Sequence, residues 1–391
     1  SGTVVLDKTP FYAQSGGQVG DSGVIKNGED NAFIVADTAK NADSVYLHKG
    51  EVSRGIISVG DSVFASINAA RRKSIMRNHT AAHLLQAALR QVLGTHVEQA
   101  GQLVNETEVR FDFTHFNPMT TQEIAKVEML VNKFILSASS VTMQEMPIEE
   151  AKKMGAMMLF GEKYGDIVRV VKAGDFSTEF CGGTHVANSG EIGLFKIVSE
   201  ASVAAGVRRI TAYTGLASLA YLNLNEMAVK TVASILKTSE NEVVERTQAV
   251  ISDNKEMEKE IQALNAEITK LKSADMFSKP TLVDGLELYI AKIEGTTPDA
   301  LRSMGDDLKN KGDNVVALIA GVNGDKANLV AVCGKNAIAK GVKAGDLVRE
   351  IAKLAGGGGG GRPDSAMAGA KDISKLDALA AVEQTVKSLI K

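Results

Sequence analysis

Asn78-His79-Thr80-Ala81-Ala82-His83-Leu84-Leu85 and, far downstream, Cys181-Gly182-Gly183-Thr184-His185 decide how this chain reads. Each stretch places two metal-competent side chains four positions apart. On a helix, His79 and His83 project from one face, one turn apart. The Gly182-Gly183 pair lets the second stretch turn tightly enough to bring Cys181 and His185 to the same ion. Three imidazoles and a thiolate suit a single zinc, with nitrogen contacts at ~2.0–2.1 Å and a sulfur contact at ~2.3 Å. One four-apart His pair is weak evidence, because core histidines fall at that spacing by chance. Two such pairs in a chain with only six His and two Cys point to a shared metal.

Around these motifs the sequence alternates short β-like runs with helices. Arg71 to Leu93 reads as a helix carrying the first His pair and stopped by Gly94. Val4-Val5-Leu6, Ala32 to Val35, Val63 to Ile67 and Val109 to Phe113 read as strands. Thr121 to Ala138 and Pro147 to Met154 read as further helices. From Leu216 to Lys279 breakers almost vanish. There Met257, Ile261, Leu264, Ile268 and Leu271 alternate steps of four and three, with Asn254 on the same seam. That rhythm fits a coiled coil, a long helical hairpin or a helix lying on a neighbouring domain.

After Pro280 the composition shifts again. Leu286 to Ile290, Val315 to Ile319 and Leu329 to Val332 read as strands of one sheet. Thr297-Pro298 opens a helix as N-cap and first helical residue. Ala344 to Ala355 forms another, ending in the run Gly356 to Gly361, and Ser374 to Ile390 a last amphipathic one. The expected fold class is α+β throughout. Residues 1–215 form a domain of mixed sheet and helices with the metal site, 216–279 a helical linker, and 280–391 a small α+β domain with its own core.

At 391 residues the chain is too long for one ordinary core. Hydrophobic residues make up 44% and charged residues 23%, the balance of a globular protein. A net charge of −3 gives no global pull toward nucleic acid, so any RNA surface must be a local patch. Two Cys argue against a disulfide framework and for a reducing compartment. No apolar stretch approaches the ~20 residues of a membrane span, and no signal-like start is present, so the expected location is cytoplasmic. The opening Ser1-Gly2-Thr3, without Met, reads as a piece of a longer protein.

The chemistry can be narrowed from the residues alone. A closed four-ligand zinc is structural, whereas a catalytic one keeps a position for water or substrate, and on paper all four positions are filled. Arg71, Arg72, Lys73 and Arg77 lead into the His helix, and Arg208-Arg209 follow Gly206. They form either a cationic rim suited to a polyanionic substrate or a solvated face. A zinc protease is a poor fit, because the position after the first His is Thr80 and not the Glu that serves as general base. No Ser-His-Asp elbow is legible. The segment Thr9 to Asp21 has glycines that allow close approach of backbone to a ligand and amides that could frame an acyl group. Read alone, it is an ordinary glycine-rich loop. No Lys-Ser/Thr phosphate loop appears, so no ATP site is expected. Cys333 reads as a buried small hydrophobe. His48, His96 and His115, which lack metal-spaced partners, read as structural or surface residues. Glu179 and Asp175 stand close enough to Cys181 to orient a ligand histidine, or simply as strand-edge charges.

Pro10-Phe11-Tyr12-Ala13-Gln14-Ser15-Gly16-Gly17-Gln18, the His79/His83 motif, Cys181 to His185 and Ala205-Gly206-Val207-Arg208-Arg209-Ile210 closely resemble the editing domain of the alanyl-tRNA synthetase family. Gly356 to Gly361 with Arg362-Pro363-Asp364-Ser365-Ala366 resembles the glycine-rich signature of that family's C-terminal domain. The resemblance runs in order over essentially the whole chain. What it lacks is the alanine-activating half. It implies hydrolysis of serine or glycine wrongly esterified to tRNA(Ala), with one Zn2+ held by His79, His83, Cys181 and His185. It assigns Gln99, and with it Cys181, to catalysis, and Gln14, Ser15, Gly16, Gly17, Gln18, Arg77, Thr80, Arg208 and Arg209 to substrate or tRNA. In the C-terminal domain it assigns Gly358, Gly359, Gly360 and Arg362 to tRNA, and implies a homodimer through the linker and that domain. A free-standing editing protein, a tRNA-binding module with a structural zinc, and a general zinc esterase are the competing readings.

Overall fold

The computed structural model describes residues 1–158, 164–324 and 326–390. It resolves into two compact units, Ser1–Glu240 and Asn241–Lys391.

The first unit holds three antiparallel sheets. Gly2–Val4, Tyr46–Arg54, Asn31–Lys40, Gly23–Asn27 and Phe64–Ile67 lie in that spatial order in the first. Its core is Phe11, Ile25, Phe33 and Val35. His48 is fully buried there, with Nδ1 2.9 Å from Val4 O and Nε2 2.7 Å from Thr9 Oγ1. Burial lowers its pKa below 6.5. The unfolded chain therefore takes up the proton first as pH falls through 6.5, and folded stability drops. Replacing His48 by Gln should flatten that acid-side loss in a thermal-melt series from pH 7.5 to 5. An unchanged slope would remove His48 as its source.

Phe195–Ala204, Val207–Thr214, Val109–Thr114 and Gln99–Val104 form a second sheet of four strands. Strict alternation of buried and half-buried residues along Val109–Thr114 and Val207–Thr214 marks one face turned to a core. Against that face pack the helices Ala69–Leu93 and Thr121–Leu136. Asn68 caps the first by accepting from Arg71 N, and Thr120 with Glu123 forms a capping box on the second. From Asn78 to Leu89 every residue of the first helix is buried, so it runs through the core and not over it. Ser177–Phe180, Ile167–Ala173 and Val141–Pro147 make the third sheet, whose end delivers Cys181.

The helical stretch expected over 216–279 is present as two helices. Gly215–Leu236 groups with the first unit and Val243–Met276 with the second. The break needs neither Gly nor Pro. Lys237 adopts a left-handed conformation (φ 53°) and returns its N–H to Ala233 O and Ser234 O, closing the helix end. The expected seam on Val243–Met276 is exposed, with Met257 at 54% and Leu271 at 66%.

The second unit is built on one six-stranded sheet in the order Thr281–Val283, Leu286–Glu294, Val315–Asn323, Lys326–Cys333, Ser365–Ala370 and Gly358–Gly361. Only the Leu286–Glu294 and Val315–Asn323 pair is parallel. Val315, Ala317 and Ile319 face one core with Leu301 and Leu308 of the Pro298–Lys309 helix. Val316, Leu318 and Ala320 face another with Leu347, Val348 and Ile351 of the Ala344–Leu354 helix. A strand covered on both faces reads as an unbroken apolar run. The last helix is shorter than expected: Ile373–Ala381 is 3-10 and only Val382–Leu389 is α-helical. Cys333 is fully buried as expected, and burial pushes its thiol up to about 12. No helix among the described residues is long and apolar enough to cross a membrane.

Candidate metal centre and its cavity

His79, His83, Cys181 and His185 converge, with one ligand atom from each lying within 4.8 Å of the others. Residues 102 positions apart meet there: Cys181 Sγ is 3.4 Å from His79 Nε2 and 3.3 Å from His185 Nε2. A tetrahedral zinc with ordinary bond lengths sets nitrogen–sulfur edges of roughly 3.5 Å.

The other ring nitrogens fix the tautomers. Gln18 Oε1 lies 2.7 Å from His79 Nδ1 and also accepts from Thr184 N at 2.9 Å. An amide oxygen only accepts, so His79 Nδ1 carries the proton and Nε2 keeps its lone pair. Thr80 Oγ1 donates to Met76 O at 2.9 Å, so His185 Nδ1, 3.2 Å from the same oxygen, is a donor in turn. Two Nε2 lone pairs thus face a single thiol, whose one proton can satisfy only one of them. A cation bound to a thiolate satisfies both. His83 Nδ1 approaches Glu179 Oε2 at 3.6 Å, longer than a hydrogen bond. Such outer partners hold ligand imidazoles in register.

Burial keeps the imidazoles neutral. His79 and His185 are lowered well below 6.5 and His83 to about 4, with the Arg169 charge acting in the same direction. Neutral imidazole is the metal-binding form. Burial also pushes Glu179 up to about 8, against the hydrogen bond from Ser177. Burial thus pushes both partners of the Glu179–His83 contact toward their neutral forms.

Backbone placement is equally specific. Gly183 passes across the His79 ring: a Cβ there would stand 2.0 Å from Cε1 and 2.3 Å from Nδ1. Gly182 faces open space. Arg169 Nη1 ties this turn to the third sheet by donating to Cys181 O at 2.8 Å and Gly183 O at 2.7 Å.

The centre opens into a cavity of about 280 Å³, lined among others by Tyr12, Gln86, Gln99, Gln102, Met157 and Arg169. That volume lies just below the usual range of ligand pockets (~300–1,000 Å³), so only a small group fits. Ser15 and Gly16 of the glycine-rich loop, with Gln99, also line it. Burial, followed by the Cys181 charge, raises Tyr12 to about 12, and its hydroxyl donates to Ser15 O at 3.1 Å.

Other sequence-assigned residues have different surroundings. Gln18 and Thr80 are buried to 1% exposure or less, and their polar atoms are taken by His79, His185, the Thr184 hydroxyl and nearby backbone. They position ligands from behind the centre. Gly17 packs on Gln102, and Gln14 is exposed with its N–H donating to Thr38 O. The arginines are not a free rim. Arg71 pairs with Glu106, Arg72 with Asp21, Arg208 with Glu200 and Arg209 with Asp112. Arg77 donates to Glu191 O and lines a separate cavity with Arg72 and Val186. His96 and His115 are partnered after all, stacked with Nε2 and Nδ1 3.0 Å apart. Asp175 pairs with Lys172 at the surface, away from the ligands. Gly358–Gly361 is an edge strand paired to Ser365–Ala370, and Arg362 is exposed, 3.4 Å from Asp364.

Gln86 and Arg169 were missed by reading the sequence. Gln86 was findable, being three residues after His83 on the same helical face. Arg169 comes from another sheet and leaves no local signal.

Three family profiles match the chain: tRNA synthetases class II (A) over residues 1–71, the Threonyl and Alanyl tRNA synthetase second additional domain over 168–211, and the DHHA1 domain over 285–389. Alanine--tRNA ligase of Acetivibrio thermocellus is 48% identical over 98% of this chain and 43% of its own length. The Alkaliphilus oremlandii protein of that name is 48% identical over 96% of the chain and 42% of its own, and the Bacillus subtilis one 45% over 99% and 44%. The solved C-Ala domain from Aquifex aeolicus alanyl-tRNA synthetase aligns at 33% identity with 28% of this chain and 98% of its own, at a TM-score of 0.27. The chain spans less than half the length of the curated relatives it matches, and over that span it belongs to the alanyl-tRNA synthetase family.

Proposed function

We propose that the first unit is a zinc-dependent hydrolase of aminoacyl-tRNA esters, clearing serine and glycine from tRNA(Ala). The observation that carries this is a cluster of three imidazoles and one thiol, of which His79, His83 and Cys181 line a small polar cavity. The need is physical: a pocket that selects a methyl side chain rejects an added hydroxyl only ~10²-fold, so a second, hydrolytic site is required. Zinc held by His79, His83, Cys181 and His185 would supply Lewis acidity, or with all four positions filled an anchor. Gln99, at the start of its strand and on the cavity wall, orients the ester. Ser15 and Gly16 border the acyl group, and the walls limit entry of water.

In the whole protein, we take the activity to be attachment of alanine to tRNA(Ala), with this portion correcting errors. The second unit, through Gly358, Gly359, Gly360 and Arg362, is assigned to the tRNA body. The exposed seam on Val243–Met276 is assigned to a second copy.

Metal analysis of the purified chain, coupled to deacylation of Ser-, Gly- and Ala-tRNA(Ala), tests this. Wild type should carry one zinc and hydrolyse the first two esters. Cys181→Ala should lose both metal and activity. If metal and activity survive that change, the ligand assignment is wrong. Binding of tRNA without turnover would support a binding module instead.

A further inference from the structure

Two amide oxygens at the cavity, those of Gln86 and Gln102, are buried without a hydrogen-bond partner among the described residues. Gln102 is held by its Nε2 donating to Gly16 O, and Gln86 has no such anchor. Gln86 is 5% exposed and lies on the His79/His83 helix, three residues beyond His83. Its Nε2 lies 3.8 Å from Met157 Sδ, a weak acceptor. Its Oε1 is buried and has no hydrogen-bond partner among the described residues. Turning the amide over would only exchange which end is open. A buried carbonyl left unpaired is destabilising, so a site that keeps one is completed by something that enters. Gln86, Met157 and His83 line the same cavity.

We propose that Gln86 is the serine-reading residue, its Oε1 accepting a hydrogen bond from the side-chain hydroxyl of a seryl ester. This rests on the deacylase reading of the same cavity. The hydroxyl fits better than the α-ammonium. An ammonium brings three donors and a full charge, which a neutral amide beside a thioether cannot compensate. A hydroxyl needs one acceptor and carries no charge into the wall. A glycyl ester has no hydroxyl and gains nothing from Gln86. The glycyl ester is therefore the internal control, hydrolysed without help from Gln86.

The test compares wild type with Gln86→Met, an apolar side chain of similar length, and with Gln86→Leu as a second variant. Read-outs are kcat/KM on Ser-tRNA(Ala) and Gly-tRNA(Ala), zinc content and the thermal midpoint. Affinities for non-hydrolysable 3′-serylamide and 3′-glycylamide analogues of adenosine are measured alongside. Serine turnover should fall ~10–100-fold and serylamide affinity about as much, from loss of one buried hydrogen bond. Glycine turnover should stay within about twofold of wild type, with zinc and midpoint unchanged. Equal losses on both esters with zinc retained would overturn the proposal, because Gln86 would then serve a group both esters share. Equal losses with zinc or folding lost would make it structural, and no change at all would leave its open end without a ligand. If wild type hydrolyses neither ester, the deacylase reading fails by itself. The serylamide comparison then decides Gln86, and equal affinity in wild type and variant overturns it.

Discussion

Alanine at Gly183 should strip the first unit of tightly bound zinc, while alanine at Gly182 should leave affinity unchanged. The two glycines are neighbours with opposite surroundings. At Gly183 a Cβ would fall 2.0 Å from His79 Cε1, 2.3 Å from His79 Nδ1 and 2.9 Å from Gln18 Oε1. The ring cannot retreat, being 1% exposed and held by Gln18. The backbone cannot retreat either, because Arg169 holds Gly183 O and Gly183 N donates to Cys181 Sγ at 3.3 Å. Whichever side yields, a ligand leaves the cluster. Loss of an outer partner alone costs ~10–100-fold in metal affinity, so displacing a ligand itself should cost about 100-fold or more. Gly182 has nothing within 4 Å of a Cβ, and its φ lies outside the left-handed region. Chelator competition on the two variants reads the difference directly. Equal affinities would mean that the ring and the turn do not share this space.

Leucine at Gln18 should be the second most damaging change, through the metal and not through substrate. It removes the acceptor of His79 Nδ1 and of Thr184 N, together with the donor to Thr184 Oγ1. A buried N–H is left unpaired at about 1–3 kcal/mol, and the ring is free to turn. Zinc affinity should fall ~10–100-fold. Gln18→Glu keeps the acceptor and should recover much of that loss. An unchanged zinc affinity with a raised KM for the tRNA ester would instead return Gln18 to the substrate-contacting role that its loop suggests in sequence.

The convergence of His79, His83, Cys181 and His185 was legible because metal chemistry restricts side-chain type and spacing together. Helix spacing and Gly94 framed the His pair before any contact was known. The surroundings were not legible, and for one reason: each depends on a partner distant in sequence. Gln18 looks like a loop amide until His79 lies against it. Arg208 and Arg209 look like a cationic edge until Glu200 and Asp112 neutralise them across adjacent strands. The glycine run is a similar case. Its composition suggests a flexible connector, but Gly357, Gly359 and Gly361 lie against the backbone of the neighbouring strand, too close for any Cβ. The apolar strands of the second unit were easy to see because burial on both faces leaves no polar interruption. Those that deliver Cys181 were missed: Ser177–Phe180 is four residues long and carries Glu179 inward.

The ligands of the centre also set how far its influence reaches along the chain. His79 and Cys181 are 102 positions apart, and the intervening polypeptide supplies strands to the second and third sheets. A cation shared by them is a reversible cross-link closing a very large ring. For a covalent bridge, a ring of about 100 residues removes ~4–5 kcal/mol of freedom from the unfolded chain. The thiol gives up its proton when it binds metal, so this clamp would loosen on acidification or chelation. Occupancy of the centre by a cation and the melting of the whole unit would thereby answer to one chemical control.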